Sequence, residues 1–260
     1  MNEISYSGGD TSFTFTPVPW DCKAFARDCY ELKLSLGGDR PQPAAVQAAM
    51  RQAGMDVVTC RRGADDFEAA RYLRSLGFFH AELQLDYLLA LAGRALPPAG
   101  PALVRPARPD DDEAMLQIAA TRFPGGRFRH WTGVTAEMIG VRYRNWVAQI
   151  LERHRDLALV LETDGRVLGF FASEPTTDPK RVNLTLGAVA QAAPRLLGHH
   201  LFTSALALYG QRGYTLAGAS LAANNLAVLN LYASLGAAFV KAVEFFQWDA
   251  RAGETGGHGA

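Results

Sequence analysis

The sequence predicts an α/β protein built in two parts, on three observations. Short stretches of alternating apolar and polar residues recur along the 260 residues, separated by segments with helical spacing. Apolar residues make up 48% of the chain, enough to bury a sizeable core. The stretch Arg94-Ala95-Leu96-Pro97-Pro98-Ala99-Gly100-Pro101 is one that neither a helix nor a central strand accommodates. The expected division is a smaller α/β domain over 1–95, a linker over 96–101, a larger α/β domain over 102–249 and a glycine-rich flexible tail over 250–260.

In the first part, Glu31 to Leu36 alternates as a half-buried strand does, and Gly37-Gly38 turns it. Ala44 to Ala53 has helical spacing and stops at Gly54. Val57 to Cys60 reads as a short strand, Phe67 to Leu76 as a helix ended by Gly77, and Phe78 to Leu85 as another alternating strand. After the linker, Leu103 to Ala107 is a short strand. Asp110 and Glu113 stand at capping-box spacing and are expected to open the next helix. Arg142 to Arg153 is expected to be a second helix. Leu157 to Leu161 and Val167 to Ala172 are strands joined by an Asp164-Gly165 hairpin turn. A strand over 182–189, a helix over 198–211, a strand over 215–221, a helix over 226–235 and a bent strand region over 238–248 complete the order. No internal repeat of fixed period is visible.

Composition excludes several classes of function. Lys+Arg and Asp+Glu both number 26, so the formal net charge is zero and no basic arm points to nucleic acid. No apolar run reaches the roughly 18 residues that a bilayer crossing needs. Met1-Asn2-Glu3-Ile4-Ser5 does not open a secretory signal. Cys22, Cys29 and Cys60 suit neither a disulfide framework nor a zinc site. Gly8-Gly9 and Gly37-Gly38 lack the strand-Gly-x-Gly-x-x-Gly-helix context of a dinucleotide site. The expectation is a cytoplasmic protein with no metal, no nucleic-acid partner and no membrane association.

Three motifs carry chemistry. Leu186-Gly187-Ala188-Val189 leads into Arg195-Leu196-Leu197-Gly198-His199-His200; Asn224-Asn225 precedes Leu229-Asn230-Leu231-Tyr232; and Leu235-Gly236-Ala237 follows. With the order β-α-α-β-β-β-α-β-α-β over 103–249, they resemble the GNAT superfamily of acyl-CoA-dependent N-acyltransferases. That family carries Gln/Arg-x-x-Gly-x-Gly/Ala in the first motif, where Arg195 and Gly198 match and His200 departs. The resemblance implies a GNAT domain with a central mixed, splayed β-sheet flanked by helices, after the smaller α/β domain. It also implies acetyl-CoA as acyl donor.

The chemistry of each motif follows from its residue types. A helix start leaves up to four backbone N–H groups unpaired at the positive end of the helix dipole, which suits a pyrophosphate. Leu196, Leu197, Gly198, His199 and His200 would supply those groups beside Arg195, with Gly198 allowing close approach. His199 and His200 have no further ligands at metal spacing. Amide formation from a thioester expels a thiolate that needs a proton. A phenol with a pKa of about 10 is protonated at neutral pH, so Tyr232 is the candidate catalytic acid and cofactor contact. Its bland role is a packed tyrosine on an amphipathic helix. Asn225 would cap that helix and touch the cofactor arm. The resemblance further implies that the strand before the loop splays from its parallel neighbour. The pantetheine arm would then pair with Gly187, Ala188 and Val189, and one N–H would steady the oxyanion.

A narrower resemblance spans nearly the whole chain. Pro19-Trp20-Asp21 with Phe25, Leu73 to Phe78, Ala119 to Phe123, Arg127-Phe128-Arg129 and Tyr143-Arg144-Asn145-Trp146 are similar in order to the dTDP-fucosamine N-acetyltransferase family. It implies a small-molecule acceptor, a dTDP-linked amino-dideoxysugar, in cell-surface polysaccharide biosynthesis. Residues 122–155 hold seven arginines against Glu137 and Glu152 and no lysine, and arginine suits bidentate phosphate contacts. Arg127, Phe128, Arg129, Trp131 and Tyr143 are the candidate acceptor contacts, by charge or by stacking; core packing and solvated helix faces are the bland alternatives. A GNAT enzyme acting on another amine and a non-catalytic acyl-CoA-binding module both stay open. The last strand offers a route to a homodimer.

Overall fold

The structure is a computed structural model that describes residues 2–97, 102–123, 125–194 and 196–252. In chain order the elements are β1 (Ile4–Gly8), β2 (Thr11–Pro17), α1 (Pro19–Phe25), β3 (Cys29–Ser35), α2 (Pro43–Gln52), β4 (Val57–Gly63), α3 (Phe67–Ser75) and β5 (Phe79–Ala90). There follow β6 (Ala102–Pro106), α4 (Asp112–Arg122), α5 (Ala136–His154), β7 (Ala158–Thr163), β8 (Arg166–Pro175) and β9 (Arg181–Val189). The chain continues through α6 (Leu196–Gln211), β10 (Leu216–Ala222), α7 (Leu226–Ser234) and β11 (Ala238–Asp249). Short 3₁₀ turns occupy Pro109–Asp111, Gly126–His130 and Arg155–Leu157.

These elements form two compact units, each a mixed sheet flanked by helices. The first comprises Met1–Gln84, Gly126–Met138 and Lys241–Ala260, the second Leu85–Gly125 and Ile139–Val240. Each unit is thus assembled from more than one stretch of the chain. Residues 98–101 of the expected linker and 253–260 of the expected tail lie outside the described residues.

In the first unit the strand order is β1-β2-β3-β4-β11-β5. Gly9, at φ 62°, turns the β1–β2 hairpin. β3 and β4 are parallel, joined by α2, and β4 pairs antiparallel with β11 from Val57↔Asp249 to Gly63↔Val243. Phe13, Leu32, Met50, Leu73, Phe246 and Trp248 meet in its core. Residues 126–138 belong here because Phe128 and Trp131 pack on Phe25, with ring centroids 5.2 and 4.8 Å apart.

In the second unit the order is β5-β10-β9-β8-β7-β6. β7 is apolar on both faces: Leu159 and Leu161 join one core, Ala158 and Val160 the other. α6 and α7 pack on the first of these, α4 and α5 on the second. Such two-sided burial explains the continuous apolar run, since a strand covered on one face alternates instead. The Asp164-Gly165 turn is as expected, with φ of 50° and 71°.

Three local expectations are corrected. Asp110 does not cap α4. Asp111 accepts instead from the Arg108 N–H at 2.7 Å and from the Arg105 guanidinium at 2.7 and 2.9 Å, and Glu113 pairs with Arg144. α5 starts six residues earlier than expected, where the Thr135 hydroxyl accepts from the Met138 N–H. Gly140, which weakens the helical signal, is required there: a Cβ would lie 2.5 Å from the Ala120 carbonyl oxygen. β5 continues past Leu85 to Ala90.

Candidate functional site

The site begins with a ladder that stops early. β9 and β10 are parallel and pair only at Leu216↔Arg181, Ala217↔Val182 and Gly218↔Asn183. Beyond that rung the two strands part, while β9 stays paired to β8 as far as Val189. β9 also carries a bulge, since Leu184 and Thr185 together oppose Ser173 between the rungs Glu174↔Asn183 and Ala172↔Leu186. Ala190 donates its N–H to the Leu168 carbonyl of β8 at 2.8 Å. Sides alternate along a strand, so Gly187 and Val189 turn their N–H and C=O groups to the opposite edge, where β10 has left the ladder. Backbone groups pair almost without exception, so this edge is a place for a ligand with its own amides.

The glycines at this place have defined roles. A Cβ on Gly187 would lie 2.9 Å from the Phe171 ring, so any side chain there would displace that ring. A Cβ on Gly218 would lie 2.6 Å from the Tyr87 carbonyl oxygen, so glycine lets β5 close on the last rung before the parting.

α6 starts at Leu196, which is exposed, and its first turn holds Leu197, Gly198, His199 and His200. A Cβ on Gly198 would meet nothing within 4 Å. His200 carries no side chain into the helix mouth: its Nε2 lies 3.1 Å from the Ala102 carbonyl oxygen. Arg195 lies outside the described residues.

α7 supplies the phenol. Asn225 sits at the N-cap, but its side chain makes no capping bond, so the expected cap is absent. Gly236, at φ 83°, ends the helix. Tyr232 is only 3% exposed. Its ring lies 4.3 Å from Tyr87 of β5 and 5.5 Å from Phe202 of α6, and Phe202 lies 4.9 Å from Phe171, the ring beneath Gly187. Burial pushes the Tyr232 phenol well above its ordinary range, and the neighbouring Tyr87 hydroxyl acts in the same direction. The group is thus protonated at neutral pH, and solvent reaches it only if the surrounding rings shift.

The candidate acceptor residues divide between the units. Phe128 and Trp131 are core residues of the first unit, 1% and 3% exposed. Arg127 stacks over Phe128 and Phe245, its guanidinium carbon 4.7 and 4.5 Å from the ring centres, and Arg129 is exposed. Tyr143 belongs to the second unit, stacked on Phe123 at 4.6 Å. The arginine-rich stretch is largely taken up by the fold. Arg144 pairs with Glu113, Arg155 with Asp112, and buried Arg142 lies 4.5 Å over Trp146.

Sequence reasoning missed Tyr87 and the bulge with its polar cluster. There the Asn183 amide donates to Thr185 Oγ1 at 3.0 Å, and the Thr185 hydroxyl donates to Glu174 at 2.8 Å. Polar residues at alternate positions of an otherwise apolar strand were the available sign. Cys29 and Cys60 are buried, and burial pushes the Cys60 thiol up to about 12, so neither is a ready acyl carrier. No group of three or more metal-ligating side chains occurs among the described residues, and no helix there is long and apolar enough to cross a membrane.

No family model matches this chain, and no curated protein does. Solved structures do. A GCN5-related N-acetyltransferase from Sphaerobacter thermophilus superposes with a TM-score of 0.65 at 12% identity, covering 92% of this chain and 76% of its own. A GCN5-related glucosamine N-acetyltransferase region of a fungal multi-domain β-N-acetylglucosaminidase gives 0.65 at 13%, covering 92% of this chain but only 31% of the fungal one. A tandem GNAT protein of the clavulanic acid biosynthesis pathway gives 0.60 at 13%, covering 96% and 84%. The parted β9–β10 ladder, the helix that follows it and these superpositions agree that the chain has the fold of the GCN5-related N-acetyltransferases.

Proposed function

We propose that this protein transfers an acetyl group from acetyl-CoA to a primary amine, with the parted edge of β9 as the donor site. The observation that carries the proposal is the end of the β9–β10 ladder at Asn183↔Gly218, which leaves the Gly187 and Val189 backbone groups for the pantetheine arm. In the first turn of α6 the Leu197 N–H is held by the Pro194 carbonyl at 3.0 Å, which leaves the N–H groups of Leu196 and Gly198 for the pyrophosphate. The amine nitrogen attacks the thioester carbonyl directly; the C–N bond forms and the C–S bond breaks. The leaving thiolate takes the Tyr232 proton. The amine must also lose a proton. We assign that role to Glu174, supported by its place at the bulge and its bond from Thr185.

For the acceptor we propose a dTDP-linked amino-dideoxysugar in the cytoplasm. The order of motifs supports it, as does the likeness in fold to a glucosamine N-acetyltransferase region. A second reading, transfer to a different amine, is favoured by the arginines already held within the fold.

Calorimetry with acetyl-CoA, followed by thiol release with a panel of amines, tests both levels. Binding with turnover on dTDP-amino sugars is the expected result. Absence of any heat with CoA or acetyl-CoA overturns the donor site, and turnover only on other amines overturns the sugar. Tyr232→Phe should keep affinity and lose about a hundredfold or more in kcat; unchanged turnover would remove Tyr232 from the chemistry.

A further inference from the structure

The two units repeat one pattern. Val57 to Gly63 answers to Leu216 to Ala222 and Phe79 to Ala90 to Ala238 to Asp249, a constant shift of 159 residues. α3 and α7 are both nine residues long and keep the same shift. Their N-caps, Asp66 and Asn225, have φ/ψ of −85°/65° and −84°/65°. Gly77 and Gly236 follow at φ 81° and 83°. The Phe78 N–H donates to the Leu73 carbonyl at 3.0 Å, and the Ala237 N–H to the Tyr232 carbonyl at 2.9 Å. Upstream, β1–β2 and β7–β8 are hairpins, β2–β3 and β8–β9 are antiparallel, and β3–β4 and β9–β10 are parallel. The Asp28 carbonyl accepts from Asp56 and Val57 as the Lys180 carbonyl accepts from Thr215 and Leu216. Shared residues are few, chiefly Gln52/Gln211, Gly54/Gly213 and Ser75-Leu76-Gly77/Ser234-Leu235-Gly236, which is why no repeat is visible in the sequence.

The first copy differs where the second has its candidate site. Its parallel ladder also stops early, at Leu32↔Cys60. There, however, Arg62 donates to the Leu34 carbonyl at 2.8 Å while Asp66 holds its Nε at 2.9 Å. The β2–β3 ladder has no bulge. The loop before α2 has its N–H groups taken by the chain itself. Gly38 and Asp39 donate to the Asp10 carboxylate at 3.0 and 2.8 Å, and Gly37 donates to Thr11 Oγ1 at 3.0 Å. Those N–H groups hold the Asp10 carboxyl below the ordinary carboxylate range. α2 has 10 residues against 16 in α6 and begins at Pro43. Leu73 stands where the second copy has Tyr232.

We propose that the chain holds two copies of one acyl-thioester-binding module, and that the first is sealed by its own side chains. Arg62 occupies the open strand edge, and the Asp10 carboxylate occupies the anion cradle of the loop. One chain then binds one acyl-CoA. This rests on the donor site proposed above, so the test has an arm that does not use CoA.

In that arm, the wild type and Asp10→Ala are melted with and without inorganic pyrophosphate, with Asp10→Asn as the variant least disturbing to the fold. Without additive both variants should melt lower than the wild type. Pyrophosphate should raise the midpoint of at least Asp10→Ala by several degrees and leave the wild type unmoved. An equal response in both, or none in either variant, overturns the sealed cradle. In the CoA arm, calorimetry should give one equivalent per chain, lost in Gly187→Trp; two equivalents, or one that survives Gly187→Trp, overturns the assignment. Absence of heat with the wild type counts against the donor site, and the pyrophosphate result then decides the cradle by itself.

Discussion

Removing the Asp249 carboxylate tests how the first unit holds its closing strand. Asp249 ends β11, with its side chain 1% exposed, and Arg27 opposite is 2% exposed. Two hydrogen bonds join them, at 2.5 and 3.1 Å. The Thr132 and Arg251 N–H groups donate to the same carboxylate at 3.2 and 3.0 Å. Arg27 also donates to the Thr132 and Asp56 carbonyls at 3.2 and 3.3 Å. Asp249→Ala leaves a guanidinium without counter-charge in a dry site, together with two N–H groups that lose their acceptor. Breaking a buried pair from one side costs about 3–5 kcal/mol. At 2–4 °C per kcal/mol that is a fall in melting midpoint of roughly 6–20 °C. Burial raises the Asp249 pKa, but Arg27 and the two N–H groups outweigh it and hold the carboxyl below its ordinary range. The stabilisation is therefore complete above the unfolded carboxylate pKa of about 4 and is lost as pH falls through the lower folded value. Urea titrations of wild type and variant at pH 7 and pH 3 measure it, and the gap between the two proteins should narrow at pH 3. A loss under about 1 kcal/mol at pH 7, well below the range for buried pairs, or a gap that widens in acid, would refute the argument.

Gly187→Val should weaken acetyl-CoA binding at least tenfold in calorimetry, because its Cβ alone would lie 2.9 Å from the Phe171 ring, so the ring or this stretch of β9 must shift. Glu174→Gln should lower kcat at least tenfold while acetyl-CoA affinity is kept; an unchanged kcat would remove Glu174 as the base. Gly236→Ala, at φ 83°, should destabilise by about 1 kcal/mol in urea titration, the usual cost of a side chain in the left-handed region. Cys60, with its thiol at about 12, should resist iodoacetamide at pH 8 in the folded protein, while half-buried Cys22 reacts first; peptide mass mapping checks the order.

What was legible in the sequence is what is local. β4, α3, β7, β10 and α7 lie within a few residues of their expected spans because apolar period and terminating glycines are written in the segment itself. Gly77 and Gly165 sit at positive φ where a helix end and a hairpin turn were expected. The β1–β2 hairpin was overlooked because Gly8-Gly9 drew attention only as a rejected nucleotide motif. The pairing of β4 with β11 was illegible because the partner lies far along the chain, and nothing in Val57 to Gly63 names it. The β9 bulge is a register relation between neighbours and has no sequence period. For the candidate site, the motifs fall on β9, the start of α6 and α7. The exposure of each side chain depended on tertiary packing: Phe128 and Trp131 are buried by Phe25, a residue about a hundred positions earlier.

The passage of β11 into the first unit has a consequence for biosynthesis. β4 leaves the ribosome with one edge bare, and its partner, Val243 to Asp249, follows only much later in the chain. At 5–20 residues per second the wait is on the order of 10–40 s. The nascent amino-terminal half must therefore stay soluble with an unpaired strand edge, a species prone to aggregate or to need a chaperone. A stop codon a few residues before Asp249 would do damage out of proportion to its length, because the missing piece is the middle of a sheet begun two hundred residues earlier.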